Sequence, residues 1–281
     1  MNKKIKSIYG VVGNPLGQSL SPVIQTAALK VAGLPGEYGR FELESPAFDG
    51  FMKDLRKNHF AGLTVTMPFK QVIIPYLDEL DPTAKLIGAV NTVEITPTKL
   101  IGHNTDYVGA IRALEDHVEL KSKRVLLLGF GGAAKAIIYG LNEKDAQVTI
   151  YAPEFFSDEK RETNKNSRDS SPVAYVPISF DAIRGNNYDI IINATPVGMA
   201  PNSDRSVLSS DQLKGCPLVM DIVYKPRMTK LLREAASVGA TTITGDRMLL
   251  YQGARQFEIW HRQPAPLEAM DAALQKAIAT Y

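Results

Sequence analysis

The sequence has little of several features that mark particular protein classes. Cys216 is the only cysteine among the 281 residues, so neither an intramolecular disulfide nor a metal site made of several thiolates can form. The short apolar run after the basic N-terminus is broken by Gly13-Asn14-Pro15, and no stretch approaches the roughly 18 apolar residues of a membrane span. We therefore expect a cytoplasmic protein with no membrane partner and no bound metal.

An excess of charge of one sign is also missing. The chain carries 32 basic and 30 acidic residues, which gives a net charge of +2. A nucleic-acid-binding protein would need a clustered basic surface, so we expect no nucleic-acid partner. The chain is long enough for two hydrophobic cores, which predicts two domains.

Strand-like and helix-like segments alternate along the whole chain, which predicts an α/β fold with mostly parallel sheets covered by helices. The pattern Ser21-Pro22 predicts a helix capped by the Ser21 side chain, with proline in the first helical position. The segments Val90–Ile95 and Leu100–Gly102 favour a hairpin. The segment Leu249–Ala279 has a helical pattern that is interrupted near Pro264.

A glycine-rich turn is the clearest single motif. Gly129-Phe130-Gly131-Gly132-Ala133-Ala134 satisfies G-x-G-x-x-G/A, follows the buried strand Val125–Leu128 and precedes a helix. In that context the glycines bring backbone N–H groups close to a pyrophosphate at the helix N-terminus. The turn therefore favours dinucleotide binding over the alternative, a purely structural strand-to-helix turn.

Small polar and ionisable residues also gather at the ends of predicted strands. Each has a structural alternative, because a serine can cap a helix, a lysine can be a solvated charge and an asparagine can belong to a turn. Their common placement at what should be one sheet edge favours a ligand site. The four segments are Ser19–Ser21, Thr64–Lys70, Ala89–Thr92 and His103–Asp106. In the second part of the chain, the small-residue loop Ala194–Met199 follows a predicted strand, and it suits a ligand-binding loop and a plain structural turn equally well.

Six segments together resemble the shikimate dehydrogenase family, in the family's order, from about Ile8 to Trp260. They are Tyr9–Pro15, Ser19–Pro22, Thr64–Lys70, Gly88–Thr92, Asn104–Asp106 and Tyr251–Ala254. The resemblance implies reversible reduction of 3-dehydroshikimate to shikimate with NADPH. It also implies two α/β domains with the active site in the cleft. Residues 1–106 would form the substrate-binding domain, joined by C-terminal helices at 248–281, and residues 107–247 would form a Rossmann-type NAD(P)-binding domain.

The resemblance also implies roles for individual residues. Lys70 and Asp106 match the family's catalytic pair. Reduction of a ketone builds negative charge on its oxygen, which calls for a proton donor, and Lys70 is the candidate, with Asp106 orienting it. Hydroxyl and amide groups suit a substrate that carries a carboxylate and several ring hydroxyls. The matching substrate positions are Ser19, Ser21, Thr66, Asn91, Tyr224 and Gln252. The matching cofactor positions are Gly129, Phe130, Gly131, Gly132, Ala133, Thr195, Ile222 and Gly245.

The sequence departs from the family after the second Rossmann strand. Where the family usually has an arginine for the adenosine 2′-phosphate, this chain reads Tyr151-Ala152-Pro153-Glu154. An acidic residue there usually binds an unphosphorylated ribose, whereas Lys160 and Arg161 follow as nearby positive charges. The family resemblance favours NADP, whereas the residues after Tyr151 favour NAD or dual use. We expect NADP as the cofactor, with NAD or dual use as the alternative. A smaller departure is Gln18, where the family commonly has histidine.

Two other functions compete with an NADP-dependent shikimate dehydrogenase. One is a quinate/shikimate dehydrogenase that uses NAD. The other is a non-catalytic relative that binds a dinucleotide or a shikimate-like ligand as a sensor. Such a relative should have lost one member of the reactive pair, yet Lys70 and Asp106 are both present. We expect a small-molecule enzyme that is a monomer or a homodimer.

Overall fold

The computed structural model describes residues 7–153, 174–183 and 187–280. Its chain divides into two compact units, one made of residues 1–109 and 249–281 and the other of residues 110–248. The first unit is therefore discontinuous in the sequence, because the chain returns to it after completing the second. No helix of the described residues is long and apolar enough to cross a membrane.

The first unit contains a mixed six-stranded sheet. Its strands are β1 (Ser7–Gly13), β2 (Gly36–Glu42), β3 (Phe60–Val65), β4 (Glu79–Leu80), β5 (Thr92–Ile95) and β6 (Leu100–His103). They lie in the order β2-β1-β3-β5-β6-β4. Strand β1 is parallel to both of its neighbours, whereas β3, β5 and β6 pair antiparallel, so the predicted hairpin is present.

The second unit contains a parallel six-stranded sheet. Its strands are β7 (Arg124–Leu128), β8 (Gln147–Tyr151), β9 (Val176–Pro177), β10 (Ile190–Asn193), β11 (Leu218–Asp221) and β12 (Thr241–Ile243). Read from β9 to β12, the order is β9-β8-β7-β10-β11-β12, which is the order of the dinucleotide-binding doubly wound fold. Strand β10 is buried along its whole length, as expected for a parallel sheet covered on both faces.

The helices cover these sheets and supply most of the remaining regular structure. The described helices are α1 (Ser21–Val31), α2 (Ser45–Asp54), α3 (Phe69–Val72), α4 (Pro82–Ile87), α5 (Asp106–Glu115), α6 (Gly132–Asn142), α7 (Ser210–Leu213), α8 (Lys230–Ser237), α9 (Gly245–His261) and α10 (Leu267–Ile278). Short 3₁₀ turns follow at Leu55–Lys57, Ile74–Tyr76 and Asp181–Ile183. The two sheets and their helices confirm the predicted α/β class.

Trp260, near the C-terminal end of α9, packs against the first sheet. Trp260 lies flat against Gly62 of β3, where an added Cβ would be 2.5 Å from the indole ring. The indole Nε1 donates a hydrogen bond of 3.0 Å to the carbonyl oxygen of Val93 on β5. Helix α10 then packs on α1. A side chain at position 62 would displace the indole, so glycine is needed there for the helix to reach the sheet.

The predicted N-cap of α1 is wrong. The pattern Ser21-Pro22 predicted a helix capped by Ser21, but Leu20 occupies the N-cap of α1 and no side chain caps it. Ser21 is instead the first helical residue, and its buried hydroxyl is hydrogen-bonded to Tyr38. The partner of the Ser21 hydroxyl is therefore Tyr38 on strand β2, which the local sequence around Ser21 does not reveal.

Candidate active site

Lys70 and Asp106 form a nearly dry ion pair in the first unit. The Lys70 Nζ lies 2.5 Å from Asp106 Oδ2, with only 17% and 7% of the two side chains exposed. Lys70 belongs to α3, which begins just after β3 ends, and Asp106 is the first residue of α5. A hydrogen bond of 2.8 Å from the Val90 N–H to the Lys70 carbonyl fixes the backbone of the lysine. Contacts within the protein therefore define the geometry of the pair.

Asn91 holds the second oxygen of the carboxylate. It is buried, and its Nδ2 donates to Asp106 Oδ1 at 2.8 Å and to Thr105 Oγ1 at 2.9 Å. Its Oδ1 accepts the backbone N–H of Thr105 at 2.7 Å. One Asp106 oxygen thus faces the ammonium and the other faces an amide, which restrains rotation of the carboxylate.

Gln252 brings helix α9 to the same cluster. Its Oε1 lies 3.4 Å from Asn91 Nδ2 and 3.5 Å from Thr105 Oγ1, and its Nε2 donates to the carbonyl of Leu249 at 2.9 Å. The described hydrogen bonds therefore join four of the predicted residues, Lys70, Asp106, Asn91 and Gln252. They come from segments up to 182 positions apart in the sequence.

The other predicted substrate residues of the first unit lie at the same edge of its sheet. Because β1 and β3 are parallel neighbours, the segments that follow them begin side by side. Half-buried Thr66 follows β3, and its backbone N–H donates to Val12 at 3.0 Å. Half-buried Ser19 precedes α1, and its carbonyl accepts from Arg40 Nη2 at 2.9 Å. Ser21 opens the helix and is bonded to Tyr38.

In the second unit, the glycine turn lies where the strand order reverses. Gly129 has a φ of +101°, and an added Cβ would be 2.8 Å from Thr195 Cγ2, so the loops after β7 and β10 touch. This is the topological switch point at which open α/β sheets bind ligands. Phe130, next in the turn, packs its ring 5.2 Å from that of Tyr175.

The start of α6 fits a pyrophosphate. Gly131 occupies its N-cap, no side chain caps the helix, and the first turn contains no acidic residue. Among the residues that the structure describes, an added Cβ at Gly131 would meet nothing within 4 Å, so there is space beside the N-terminus of the helix. A helix N-terminus with a glycine N-cap and no acidic residue in its first turn suits an anion.

A buried polar network, which the sequence analysis missed, fixes the second cofactor loop. Thr195 donates to Asn193 Oδ1 through both its backbone N–H (3.1 Å) and its hydroxyl (2.7 Å). Asn193 Nδ2 donates to Asp221 Oδ1 at 3.0 Å, and the Thr229 hydroxyl donates to Asp221 Oδ2 at 2.7 Å. Burial raises the pKa of Asp221 to about 6, outweighing the hydrogen bonds that lower it. Asn193 and Asp221 end adjacent strands, which is the only signal the sequence offered.

Ile222, Tyr224 and Gly245 lie beside this network in the second unit. The Ile222 N–H donates to the carbonyl of Asn193 at 3.0 Å. Gly245 begins α9, and an added Cβ there would lie 2.3 Å from the Ile222 carbonyl oxygen. Only glycine therefore allows the helix to begin this close to the backbone of Ile222. Tyr224 is half-buried, three residues after the end of β11. Glu154, Lys160 and Arg161, on which cofactor choice depends, lie outside the described residues.

Comparison with known proteins identifies the family. The model described as the shikimate dehydrogenase substrate binding domain matches residues 11–93, and that of the shikimate 5'-dehydrogenase C-terminal domain matches residues 247–275. A relative named shikimate dehydrogenase (NADP(+)), from Bacillus cereus, is 40% identical over 258 residues, covering 91% of this chain and 93% of the relative. The chain belongs to the shikimate dehydrogenase family.

Solved structures of shikimate dehydrogenases share the fold over nearly the whole chain. A Thermus thermophilus enzyme, crystallised with NADP(H) and shikimate, has a TM-score of 0.83 and 31% identity, covering 96% of this chain and 99% of that one. A Listeria monocytogenes enzyme, crystallised with shikimate and NAD, also has a TM-score of 0.83 and 31% identity, covering 98% of this chain and 99% of that one. Shikimate dehydrogenases have therefore been crystallised with either nicotinamide cofactor.

Proposed function

We propose that this chain is a shikimate dehydrogenase that interconverts 3-dehydroshikimate and shikimate with NADP(H). The observation that carries the proposal is the Lys70–Asp106 pair, 2.5 Å apart and largely shielded from water. Family membership supplies the substrate, and the open start of α6 supplies a place for the cofactor pyrophosphate. The test is a spectrophotometric assay of purified protein with shikimate and NADP, and absence of turnover with shikimate under any cofactor would contradict the proposal.

The proposed chemistry divides between the cofactor and the chain. When NADPH is bound, its dihydronicotinamide supplies the hydride that adds to the ketone carbon. Lys70 donates a proton from Nζ to the ketone oxygen, so that the C=O group becomes CH–OH, and it takes the proton back in the reverse reaction. Asp106 keeps the ammonium in place and accepts a hydrogen bond from a ring hydroxyl.

The remaining predicted residues hold the two ligands. Ser19 and Ser21 donate to the substrate carboxylate, and Thr66, Asn91, Gln252 and Tyr224 bind the ring hydroxyls. The N–H groups of Gly131, Gly132 and Ala133 receive the pyrophosphate. Gly129, Phe130, Thr195, Ile222 and Gly245 shape the cofactor loops around it. Each assignment follows from the match to the family pattern. For all of these residues except Gln252, which lies within helix α9, it is also supported by a position at the end of a strand or in the segment beside it.

We expect the enzyme to be cytoplasmic, since its single cysteine, Cys216, is buried and unpaired and reduced thiols suit that compartment. We also expect a monomer or a homodimer.

Replacing both Ser19 and Ser21 by alanine is expected to raise the KM for shikimate at least about tenfold, since a hydrogen bond to a charged group contributes roughly 1.5–3 kcal/mol. The kcat should change much less, because the carboxylate is bound alike in the ground and transition states. Steady-state kinetics of the variant measure both. Because Ser21 is bonded to Tyr38 and is not a helix cap, loss of capping does not enter the result.

Ser45→Ala is the control for that variant. Ser45 and Pro46 open α2 in the same helical positions that Ser21 and Pro22 occupy in α1, but Ser45 is exposed. It should leave KM and kcat unchanged. An unchanged KM with collapsed turnover in the double variant would contradict the carboxylate-binding role.

Cofactor preference should favour NADP, but only by a factor on the order of ten in kcat/KM, or about 1.4 kcal/mol. A 2′-phosphate is usually recognised by a bidentate arginine or several basic groups, and the sequence after Tyr151 reads Ala152-Pro153-Glu154. Comparison of kcat/KM for NADP and NAD measures the preference. If Lys160 and Arg161 provide the positive charge, replacing both by alanine should abolish it. A strong NADP preference that survives the replacement would contradict this account.

A further inference from the structure

A largely buried chain of hydrogen bonds leads from Tyr38 on β2 to the catalytic pair. It begins with the Tyr38 hydroxyl, which donates to Thr64 Oγ1 at 2.6 Å. Burial raises the pKa of Tyr38 above its usual value, so its hydroxyl keeps its proton and remains a donor. Thr64 then donates to Gln256 Oε1 at 2.9 Å. Thr64 and Gln256 are both buried, and they are 192 positions apart in the sequence.

The orientation of the Gln256 amide is fixed by a backbone group. Its Nε2 lies 3.3 Å from the carbonyl oxygen of Asn91 and 3.0 Å from Thr92 Oγ1. A carbonyl oxygen only accepts hydrogen bonds, so the amide group that faces it must be NH₂. Gln256 therefore accepts from Thr64 on one side and donates toward Asn91 and Thr92 on the other.

The same reasoning fixes the direction of every later bond. Because Gln256 donates to Thr92 Oγ1, the Thr92 hydroxyl is free to donate to Asn91 Oδ1, at 2.8 Å. The Thr105 N–H also faces Asn91 Oδ1, at 2.7 Å, which excludes the flipped amide. Asn91 must then present its NH₂ group to Asp106 Oδ1, at 2.8 Å. All donors in the chain point the same way, from Tyr38 to the carboxylate.

We propose that Gln256 is a positioning residue for the reaction: through Thr92 and the Asn91 carbonyl it holds the Asn91 amide with its NH₂ group toward Asp106, and so sets the Lys70–Asp106 geometry. This inference rests on the proposed function. Gln256 is fully buried in α9, one helical turn after Gln252. Gln252 contacts the Asn91 and Thr105 side chains directly, whereas Gln256 acts through Thr92 and the Asn91 carbonyl.

The first test uses Thr92, because its side chain can be changed without altering its shape. Thr92→Val removes only the hydroxyl and should lower kcat about tenfold, the effect of one net hydrogen bond. Thr92→Ser restores the hydroxyl and should recover most of the activity. If the hydroxyl positions Asn91, the serine variant should be more active than the valine variant, whichever of the two has the higher melting temperature. If Thr92 serves only in packing, the more stable variant should be the more active one. Equal kcat values for the valine and serine variants would overturn the proposal.

The second test asks whether the residues act as a series. Gln256→Leu and Thr64→Val should each lower kcat. The double variant should be no slower than the slower single variant, because the first substitution already interrupts the series of hydrogen bonds and the second has no further effect on Asn91. Effects that multiply would overturn the proposal. Gln25→Leu is the matched control. Gln25 is equally buried and bonds the Gly253 carbonyl at 2.8 Å, touching Gln256 only at 3.5 Å. It should stay within about twofold of wild type, and a loss equal to that of Gln256→Leu would also overturn the proposal.

A readout without turnover separates this inference from the proposed function. The side-chain amide resonances of Asn91, followed by NMR in protein labelled at asparagine, should shift in Thr92→Val and return in Thr92→Ser. Resonances that do not move would overturn the positioning role even in an active enzyme. A wild-type protein inactive toward shikimate, but with these shifts, would overturn the proposed function and leave the geometry of the chain supported.

Discussion

Replacing Lys70 by alanine is expected to lower turnover about 10²- to 10⁴-fold, the usual range for loss of a general acid–base group. Shikimate binding should suffer less, because the two serines and Asn91 remain. Stopped-flow or steady-state measurement of NADPH formation gives the rate, and binding of shikimate by calorimetry gives the affinity. Near-wild-type turnover would show that Lys70 is only a structural charge.

Loss of the lysine also removes the partner of a buried carboxylate. Asp106 is only 7% exposed, and breaking such a pair by removing one member is destabilising. The melting temperature of the Lys70→Ala variant must therefore be recorded beside its kinetics. Lys85→Ala, at an exposed position in α4, is the control and should leave both turnover and stability close to wild type.

Asp221→Asn is expected to change how stability depends on pH. The pKa of Asp221 is about 6 in the folded protein, against a usual 3.8, so between about pH 4 and pH 6 the folded state binds more protons than the unfolded state. Stability contributed by this group is therefore present at low pH and lost as pH rises through that window. A pKa difference of this size corresponds to about 3 kcal/mol. The asparagine variant cannot ionise, so it should gain about that much relative to wild type between pH 4 and pH 7.

The amide that replaces the carboxylate can keep its bonds. Its oxygen can accept from Asn193 and from the Val223 N–H, and its NH₂ group can donate to the Thr229 hydroxyl. Urea denaturation at pH 4, 5, 6 and 7, followed by circular dichroism, measures the difference. Asp204→Asn, exposed in the same unit, controls for the loss of one negative charge. A difference between Asp221→Asn and wild type that stays constant with pH would contradict the buried ionisation.

The parts of the fold that sequence could predict are those with a local cause. The turn at Gly129–Ala133 combines a buried strand, glycines and a following helix within a few residues, and the structure places it at the switch point of the second sheet. The alternation of strands and helices likewise predicted the α/β class. Lys70 and Asp106 could be singled out because each follows a predicted strand, and Asn91 because it lies at the beginning of one.

The parts that could not be predicted depend on partners far away in the chain. Nothing near Gln256 indicates that Thr64 lies against it, and nothing near Ser21 indicates that Tyr38 takes its hydroxyl. The Ser21 cap was wrong for this reason, since a serine before a proline has the same local appearance whether its hydroxyl caps the helix or crosses to a strand. In the sequence Asp221 is an ordinary carboxylate near the end of a strand. Its burial raises its pKa, against the hydrogen bonds from Thr229, Asn193 and the Val223 N–H that lower it, and neither influence is visible in the local sequence.

The seating of Trp260 on Gly62 also has a consequence for how the protein is made. The second unit is one continuous segment, residues 110–248, so it can fold as soon as that segment leaves the ribosome. The first sheet and α1 are translated earlier, but α9, which packs on the sheet, and α10, which packs on α1, are translated last. Until then, the face around Gly62 and the packing surface of α1 stay open to water and to other nascent chains. The first unit thus begins to be synthesised before the second but is completed after it. Lys70 and Asp106 are translated early, but Gln252 and Gln256, which complete their surroundings, are translated only near the end.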